Sequence, residues 1–124
     1  MIALLDTHAL IWSLEANPRL SATARAVIED AGNVILASST SAWEIEIKKR
    51  LGKLSAPDDL EIVVDAAGFT RRTITFADAQ RLGTLPPHHR DPFDRMLVAQ
   101  ALVDGVPIIT RDPLFGLYPV ATIW

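Results

Sequence analysis

The chain has 124 residues, a net charge of −3 and no cysteine. Its length fits one domain over residues 1–124, and the lack of cysteine excludes both a disulfide scaffold and a thiolate zinc site and suits a reducing cytoplasm. No apolar run approaches the roughly 18–20 residues of a membrane span, and the N-terminus lacks the features of a signal peptide, so no membrane association is expected. The acidic balance also counts against nucleic-acid binding, which usually requires a basic excess.

Short apolar strands alternate with helices along the chain. In the first half, the predicted elements are a strand over Ile2–Leu5, a helix broken at Asn17-Pro18, a helix over Ala22–Ala31 capped by Ser21, a strand over Val34–Ala37, and a helix from Ser38–Ser41 to about Leu51. In the second half, they are a helix from Pro57 to about Ala67, a strand over Thr73–Phe76, a helix over Ala77–Leu82, a helix from Asp91-Pro92 to about Val103, and strands over Val106–Thr110 and Val120–Ile123. This alternation predicts an α/β fold with a parallel sheet and helices on both faces.

Three acidic residues follow the strands of this predicted sheet. Asp6 comes directly after the first strand, Asp112 comes two residues after the fourth, and Glu44 is expected in the first turn of the helix after the second. The carboxyl ends of parallel strands meet at one edge, where the ligand sites of such sheets form. We therefore expect these three carboxylates to share that edge.

Asp94 is harder to place, because its helix leads into a strand and would begin near the opposite edge of the sheet. Its helical spacing puts it on one face with Leu97, Val98 and Ala101. A carboxylate that extends such a buried stripe is costly unless it is paired, hydrogen-bonded or bound to a metal ion.

Each acidic residue also has a purely structural interpretation. Glu44 fits the N3 position of a capping box that begins at Ser41, and Asp6 and Asp112 suit a helix cap or a turn. Asp91 precedes Pro92 and is interpreted first as an N-cap. Several carboxylates at one edge without an obvious basic partner nevertheless favour a hard divalent cation.

Four segments of the chain carry a family resemblance: Leu4-Leu5-Asp6-Thr7-His8-Ala9-Leu10, Ser41-Ala42-Trp43-Glu44-Ile45, His89-Arg90-Asp91-Pro92-Phe93-Asp94-Arg95 and Thr110-Arg111-Asp112. In this order and spacing they resemble PIN domains and, more narrowly, the VapC-type toxins of bacterial toxin–antitoxin pairs. The resemblance implies a small α/β/α sandwich with a parallel sheet that binds Mg²⁺ or Mn²⁺ and cuts RNA internally. By motif, the catalytic and metal-binding positions are Asp6, Glu44, Asp94 and Asp112, and Asp91 lies close to the metal without belonging to the quartet.

The basic and hydroxyl side chains near these acids are candidates for contact with RNA. They are Thr7, His89, Arg90, Arg95, Thr110 and Arg111. For the two threonines, local hydrogen bonding is the simpler interpretation. The lysines and arginine between residues 48 and 53 are interpreted mainly as a solvated helix end.

The resemblance also implies partners: an RNA substrate, a VapB-type antitoxin and a second copy of the chain in a homodimer, all in the cytoplasm. Three alternatives stay open. The first is an RNA-processing or DNA-directed nuclease on the same fold. The second is a receiver-like signalling domain, although that family has a lysine where this chain reads Thr110-Arg111-Asp112. The third is a non-catalytic module that grips a basic peptide in its acidic cleft.

Overall fold

A five-stranded sheet forms the centre of the computed structural model, which describes residues 1–124. Its strands are β1 (Ile2–Leu5), β2 (Val34–Ser38), β3 (Thr70–Arg72), β4 (Ile108–Ile109) and β5 (Thr122–Ile123). The helices are α1 (Thr7–Leu14), α2 (Ala22–Glu29), α3 (Ser39–Arg50), α4 (Leu60–Ala66), α5 (Phe76–Leu82) and α6 (Pro92–Asp104). A 3₁₀ turn over Pro113–Leu117 connects β4 to β5.

The strands run parallel in the order β3-β2-β1-β4-β5. In β1, Leu4 pairs with Leu36 on one side and with Ile108 on the other. The order of the strands reverses between β1 and β4, and ligands of open α/β sheets bind beyond the carboxyl ends of the strands at such a switch point. Receiver-like domains have the order 2-1-3-4-5 instead, so that alternative is wrong for this chain.

Successive residues of the inner strands point to opposite faces of the sheet, as the geometry of a strand requires. Leu5 and Ile109 join one apolar cluster, which also contains buried residues of α1, α2, α3 and α4. Leu4 and Ile108 join a second cluster with α6 and the 3₁₀ turn. The sheet therefore lies between two apolar layers, which confirms the α/β/α sandwich.

The strand predicted over Thr73–Phe76 is wrong. The third strand is Thr70–Arg72, and it reads as polar because it is a largely exposed edge strand. Thr75 instead caps α5 in a reciprocal capping box with Asp78, and Phe76 begins that helix with 91% of its surface exposed. The β-branched and aromatic residues of this segment predicted a strand, but they lead into the first turn of α5.

The other predicted elements are present, with shifted ends. The helix predicted from Pro57 begins at Leu60, and the strand predicted over Val106–Thr110 narrows to Ile108–Ile109. None of the helices combines the length and the apolar character needed to cross a membrane.

Candidate functional site

Asp6 is held by two short hydrogen bonds at the point where β1 passes into α1. Its Oδ1 accepts from the backbone N–H of Ala9 at 2.8 Å, so Asp6 is the N-cap of α1. Its Oδ2 accepts from the Thr110 hydroxyl at 2.6 Å. Burial raises the pKa of the Asp6 carboxyl, although both hydrogen bonds act in the opposite direction. The carboxylate is fixed in position, and its charge is costly unless a cation lies nearby.

Thr110 ties the β1 end of the site to the β4 end. The hydroxyl that donates to Asp6 also accepts from the backbone N–H of Asp112 at 3.0 Å. Asp112 caps the 3₁₀ turn through Oδ1, which accepts from Leu114 N–H at 2.9 Å. Its second oxygen faces His89. One buried threonine therefore sets the relative positions of two acidic residues across the switch point.

His89 bridges two of the carboxylates. Its Nε2 lies 2.9 Å from Asp112 Oδ2 and 3.1 Å from Asp94 Oδ2. Its Nδ1 accepts a hydrogen bond from the backbone N–H of Asp91 at 3.2 Å, so in the neutral ring the proton is on Nε2 and points toward the carboxylates. His89 is thus a donor inside the acidic cluster, whereas the sequence prediction gave it only as a candidate for contact with RNA.

Asp94 lies at the same edge of the sheet as Asp112, because the loop before α6 brings the start of that helix back across the sheet. Burial raises the pKa of Asp94 to about 7; the charges of Asp91, Glu44 and Asp6 act in the same direction and His89 opposes them. The alternation of strands and helices did not predict this position for Asp94, whereas the family resemblance did. Without a cation nearby, its carboxyl is therefore only partly ionised at neutral pH.

Glu44 is buried and has two partners from different elements. Its Oε1 accepts from the Thr7 hydroxyl at 2.6 Å, and its Oε2 forms an ion pair with Lys48 one turn along α3. Burial alone would lower the pKa of Lys48, but the hydrogen bond and charge of Glu44 raise it. Because α3 begins at Ser39 with Ser38 as its N-cap, Glu44 lies in the second turn, and its predicted first-turn and capping-box positions are wrong. The i,i+4 spacing could have revealed Lys48 as the basic partner that the sequence reasoning missed.

Asp91 performs the structural role that its position before Pro92 predicted. Its Oδ1 accepts from the backbone N–H groups of Phe93 and Asp94, at 2.8 and 3.2 Å, and caps α6. Its charge also raises the pKa of Asp94. Asp91 therefore fixes the helix that presents Asp94 and adds negative charge beside it.

The candidate RNA-contact residues separate into internal and free side chains. Thr7 and Thr110 are buried and are used to hold carboxylates. Arg95 donates to the carbonyl oxygens of Pro86 and Leu85 and to the Tyr118 hydroxyl, so its guanidinium secures the loop before α6. Only Arg90 and Arg111 are exposed and make no ion pair or side-chain hydrogen bond, and the Arg111 guanidinium lies over the Trp12 ring.

The donor atoms of this edge fit a hard divalent cation. One oxygen each of Asp94 and Asp112 lies within 4.8 Å of the other and of His89 Nε2, and Asp6 acts electrostatically on both acids. Carboxylate oxygens are the ligands that Mg²⁺ and Mn²⁺ prefer. Nε2 of His89 completes this group of possible ligand atoms, and in the tautomer that the hydrogen bond at Nδ1 favours it instead donates to the carboxylates. The carboxylates therefore suit a divalent cation, and the His89 N–H provides a hydrogen-bond donor between Asp94 and Asp112.

Comparison with known proteins shows what the chain is similar to. A stretch of 46 residues, 34% of this chain and 33% of the relative, is 52% identical to ribonuclease VapC16 of Mycobacterium tuberculosis. The chain thus spans about a third of that relative's length in the matched stretch.

Two solved structures share the fold over nearly the whole chain. VapBC2 from Rickettsia felis, bound to a DNA fragment from its promoter, gives a TM-score of 0.67 at 15% identity and covers 98% of this chain and 97% of its own. FitAcB from Neisseria gonorrhoeae gives 0.62 at 18% identity and covers 98% and 96%. At such identities the likeness concerns the fold. The PIN domain family profile matches residues 3–119, and the chain therefore belongs to the PIN domain family.

Proposed function

We propose that this protein is a metal-dependent endoribonuclease and the toxin of a VapBC-type toxin–antitoxin pair. The observation that carries the proposal is the meeting of Asp6, Asp94 and Asp112 at the switch point of the sheet in a PIN domain. The identity shared with a ribonuclease named VapC16 supports RNA as the substrate.

The residues divide the work of phosphodiester hydrolysis. When bound, Mg²⁺ or Mn²⁺ activates a water molecule and neutralises charge that develops on the phosphate. Asp6 and Asp94 are the proposed direct ligands, and Asp112 completes the site directly or through water. Glu44, held by Thr7 and Lys48, ligates the ion or orients the attacking water. Attack by water leaves a 5′-phosphate and a 3′-hydroxyl, so a cyclic phosphate product would contradict this mechanism.

The first test is cleavage of total cellular RNA, and of DNA in parallel, by purified protein with Mg²⁺ or Mn²⁺. EDTA and the variant Asp94→Asn are the controls, because the amide keeps the size of the side chain and removes its charge. We expect discrete RNA cuts that are lost with EDTA and reduced at least about 100-fold by the variant. Cleavage by Asp94→Asn at the wild-type rate would contradict the assignment, and preferential cutting of DNA would favour the DNA-directed alternative.

The proposed antitoxin has a groove to occupy. A cavity of about 590 Å³ lies between α3, α4 and β3, with apolar side chains such as Leu60 and Val64 at its base. Five acidic and two basic residues line it: Glu46, Asp58, Asp59, Glu61, Asp65, Arg71 and Arg72. Asp58 pairs with Lys49, and Glu61 and Asp65 pair with Arg71, so Glu46 and Asp59 are the acids left unpaired. This combination suits an amphipathic segment with basic residues. The VapBC2 complex from Rickettsia felis, which shares this fold, supports a VapB-type partner.

Two further parts of the proposal concern assembly and location. We infer a homodimer and a cytoplasmic protein, in keeping with the toxin role. Exposed apolar side chains on α3, among them Trp43 and Ile47, provide surface for a second copy. Sedimentation of the purified protein at several concentrations tests the dimer, and a monomer at all of them would contradict it.

A further inference from the structure

We propose that a second, smaller cavity beside the carboxylates binds an unpaired base of the RNA strand next to the bond that is cut, an inference that rests on the proposed ribonuclease function. The cavity has a volume of about 370 Å³, within the range of small-ligand sites. Its lining residues are Asp6, His8, Trp12, Arg111, Asp112 and Pro113. Because two of them belong to the acidic cluster, anything bound here lies directly beside the reacting phosphate.

Trp12 provides a rigid aromatic surface in this cavity. The indole is half-buried, packs against the apolar cluster on its side of the sheet, and lies 5.9 Å from the ring of Trp124 between centroids. The exposed His8 ring lies one helical turn earlier, 5.4 Å from the Trp12 ring. A fixed indole loses little conformational entropy when a base stacks on it, and stacking accepts any of the four bases.

Arg111 places a free positive charge over the same ring. Its guanidinium carbon lies 5.5 Å from the centre of the Trp12 ring. Other guanidinium groups near the sheet are engaged, such as those of Arg71, Arg72 and Arg95, whereas Arg111 makes no ion pair and no side-chain hydrogen bond. Its planar donors can therefore stack against a base and bind the phosphate that follows it.

The chemistry of the cavity favours single-stranded RNA over other ligands. Two of the lining residues are carboxylates, so an anion enters only together with a cation at the acidic cluster. A nucleotide suits this mixed lining, because its phosphate can bind that cation while its base stacks against Trp12 and Arg111. Bases inside a duplex are stacked on each other and do not expose their faces, so we expect loops or single strands to bind.

Fluorescence of Trp12 gives a direct readout of base stacking. The variant Trp43→Phe/Trp124→Phe/Asp94→Asn retains Trp12 as its only tryptophan and lacks the proposed cleavage activity. We expect a short single-stranded RNA to quench this fluorescence, and the same strand with abasic positions to quench it much less. Equal quenching by both strands would overturn the stacking site.

Affinity for the same RNA, measured in the Asp94→Asn background, gives an independent test. We expect Trp12→Leu to weaken binding about tenfold or more. The matched control is Phe76→Leu, which removes a 91% exposed aromatic ring outside the cavity and should leave affinity unchanged. Arg111→Gln should weaken binding severalfold, whereas Arg19→Gln, at another exposed and unpaired arginine, should not. Because Arg111 is exposed, its variant retains the fold even if Trp12→Leu is destabilised.

The two proposals fail separately. Unchanged affinity in both Trp12→Leu and Arg111→Gln, with wild-type protein that cuts RNA, overturns the base site and leaves the ribonuclease intact. If the wild type cuts no RNA but the bases still quench Trp12, the ribonuclease proposal fails and the base site stands.

Discussion

The protonation of Asp94 is expected to control metal binding. Its pKa of about 7, caused by burial and by neighbouring carboxylates, means that the proton must leave before a cation binds at neutral or lower pH. The apparent affinity for Mn²⁺ should therefore fall about tenfold for each pH unit below about 7 and level off above it. Calorimetric titration from about pH 6 to about pH 8, in buffers of different ionisation enthalpy, measures both the affinity and the proton released.

The raised pKa of Asp94 also affects the stability of the fold. An ordinary ion-paired acid stabilises a protein at high pH, whereas Asp94 does so at low pH. The folded-state pKa of Asp94 lies above its ordinary value of 3.8, so the folded metal-free protein holds more protons than the unfolded chain between about pH 4 and about pH 7. The contribution of Asp94 therefore favours folding at low pH and is lost as pH rises through about 7. Asp94→Asn should raise the melting temperature of metal-free protein at pH 8; an unchanged or lower value would contradict the burial and charge repulsion that raise this pKa.

Individual site residues differ in how far the sequence predicts them. Asp6 and Asp112 follow from their places after strands, because strand ends are local features. The hydroxyl partners do not, since Thr7 and Glu44 are 37 residues apart and Thr110 and Asp6 are 104 apart. Such contacts depend on the completed sheet, and no local spacing encodes them.

At the level of elements, a buried ion pair joins β3 to two helices. Arg72 binds Asp78 of α5 through two hydrogen bonds of 2.8 and 2.7 Å and also contacts Asp104 at the end of α6. Asp78 is fully buried and accepts as well from the backbone of Thr75 and from Gln100. Burial pushes the pKa of Asp78 upward, but Arg72 and these hydrogen bonds hold it below its ordinary value. This pair therefore contributes stability above that ordinary value and loses it as the pH falls.

Asp78→Ala should destabilise the protein by about 3–5 kcal/mol, because it leaves the largely buried Arg72 guanidinium without its main partner. The matched control is Arg71→Ala, whose ion pairs with Glu61 and Asp65 are exposed and should be worth less than about 1 kcal/mol. Urea denaturation of both variants gives the comparison. Equal losses would mean that burial of the Arg72–Asp78 pair does not determine its contribution.

The edge of the sheet near this pair shows where local patterns mislead. The segment Thr73–Phe76 has strand-like residues, yet Ile74 and Phe76 are exposed, and the Thr75–Asp78 capping box starts a helix. The polar β3 strand is recognised only by its pairing with β2. An edge strand buries little, so its sequence carries little hydrophobic signal.

For the whole molecule, the alternation of strands and helices predicts the layered sandwich but not the order of the strands. That order places β1 beside β4 and so brings Asp6 to Asp112. The position of α6 follows from the loop before it, which Arg95 and Tyr118 secure through the carbonyl of Pro86. The site thus depends on the pairing of β1 with β4 and on the loop before α6. Only the family resemblance predicted where that loop places Asp94.

The acidic groove between α3 and α4 leads to a prediction about the proposed toxin role. Expression of the chain alone should arrest growth, Asp94→Asn should not, and a small partner selected from the source genome for restoring growth should co-purify with the chain. Glu46→Lys/Asp59→Lys reverses two exposed, unpaired charges of the groove without touching the carboxylate cluster. We expect this variant to remain toxic and to bind the rescuing partner about tenfold more weakly, with a reduced salt dependence.

Glu29→Lys is the matched control, since Glu29 lies on α2, outside the groove, and its ion pair with Arg25 is long at 3.8 Å and exposed. The control should be neutralised by the partner as well as the wild type is. A partner that rescues the groove variant and the wild type equally well binds elsewhere, which would contradict the groove assignment alone. Active ribonuclease that leaves growth unaffected would instead contradict the toxin role, because the cleavage would then have no lethal target in the cell.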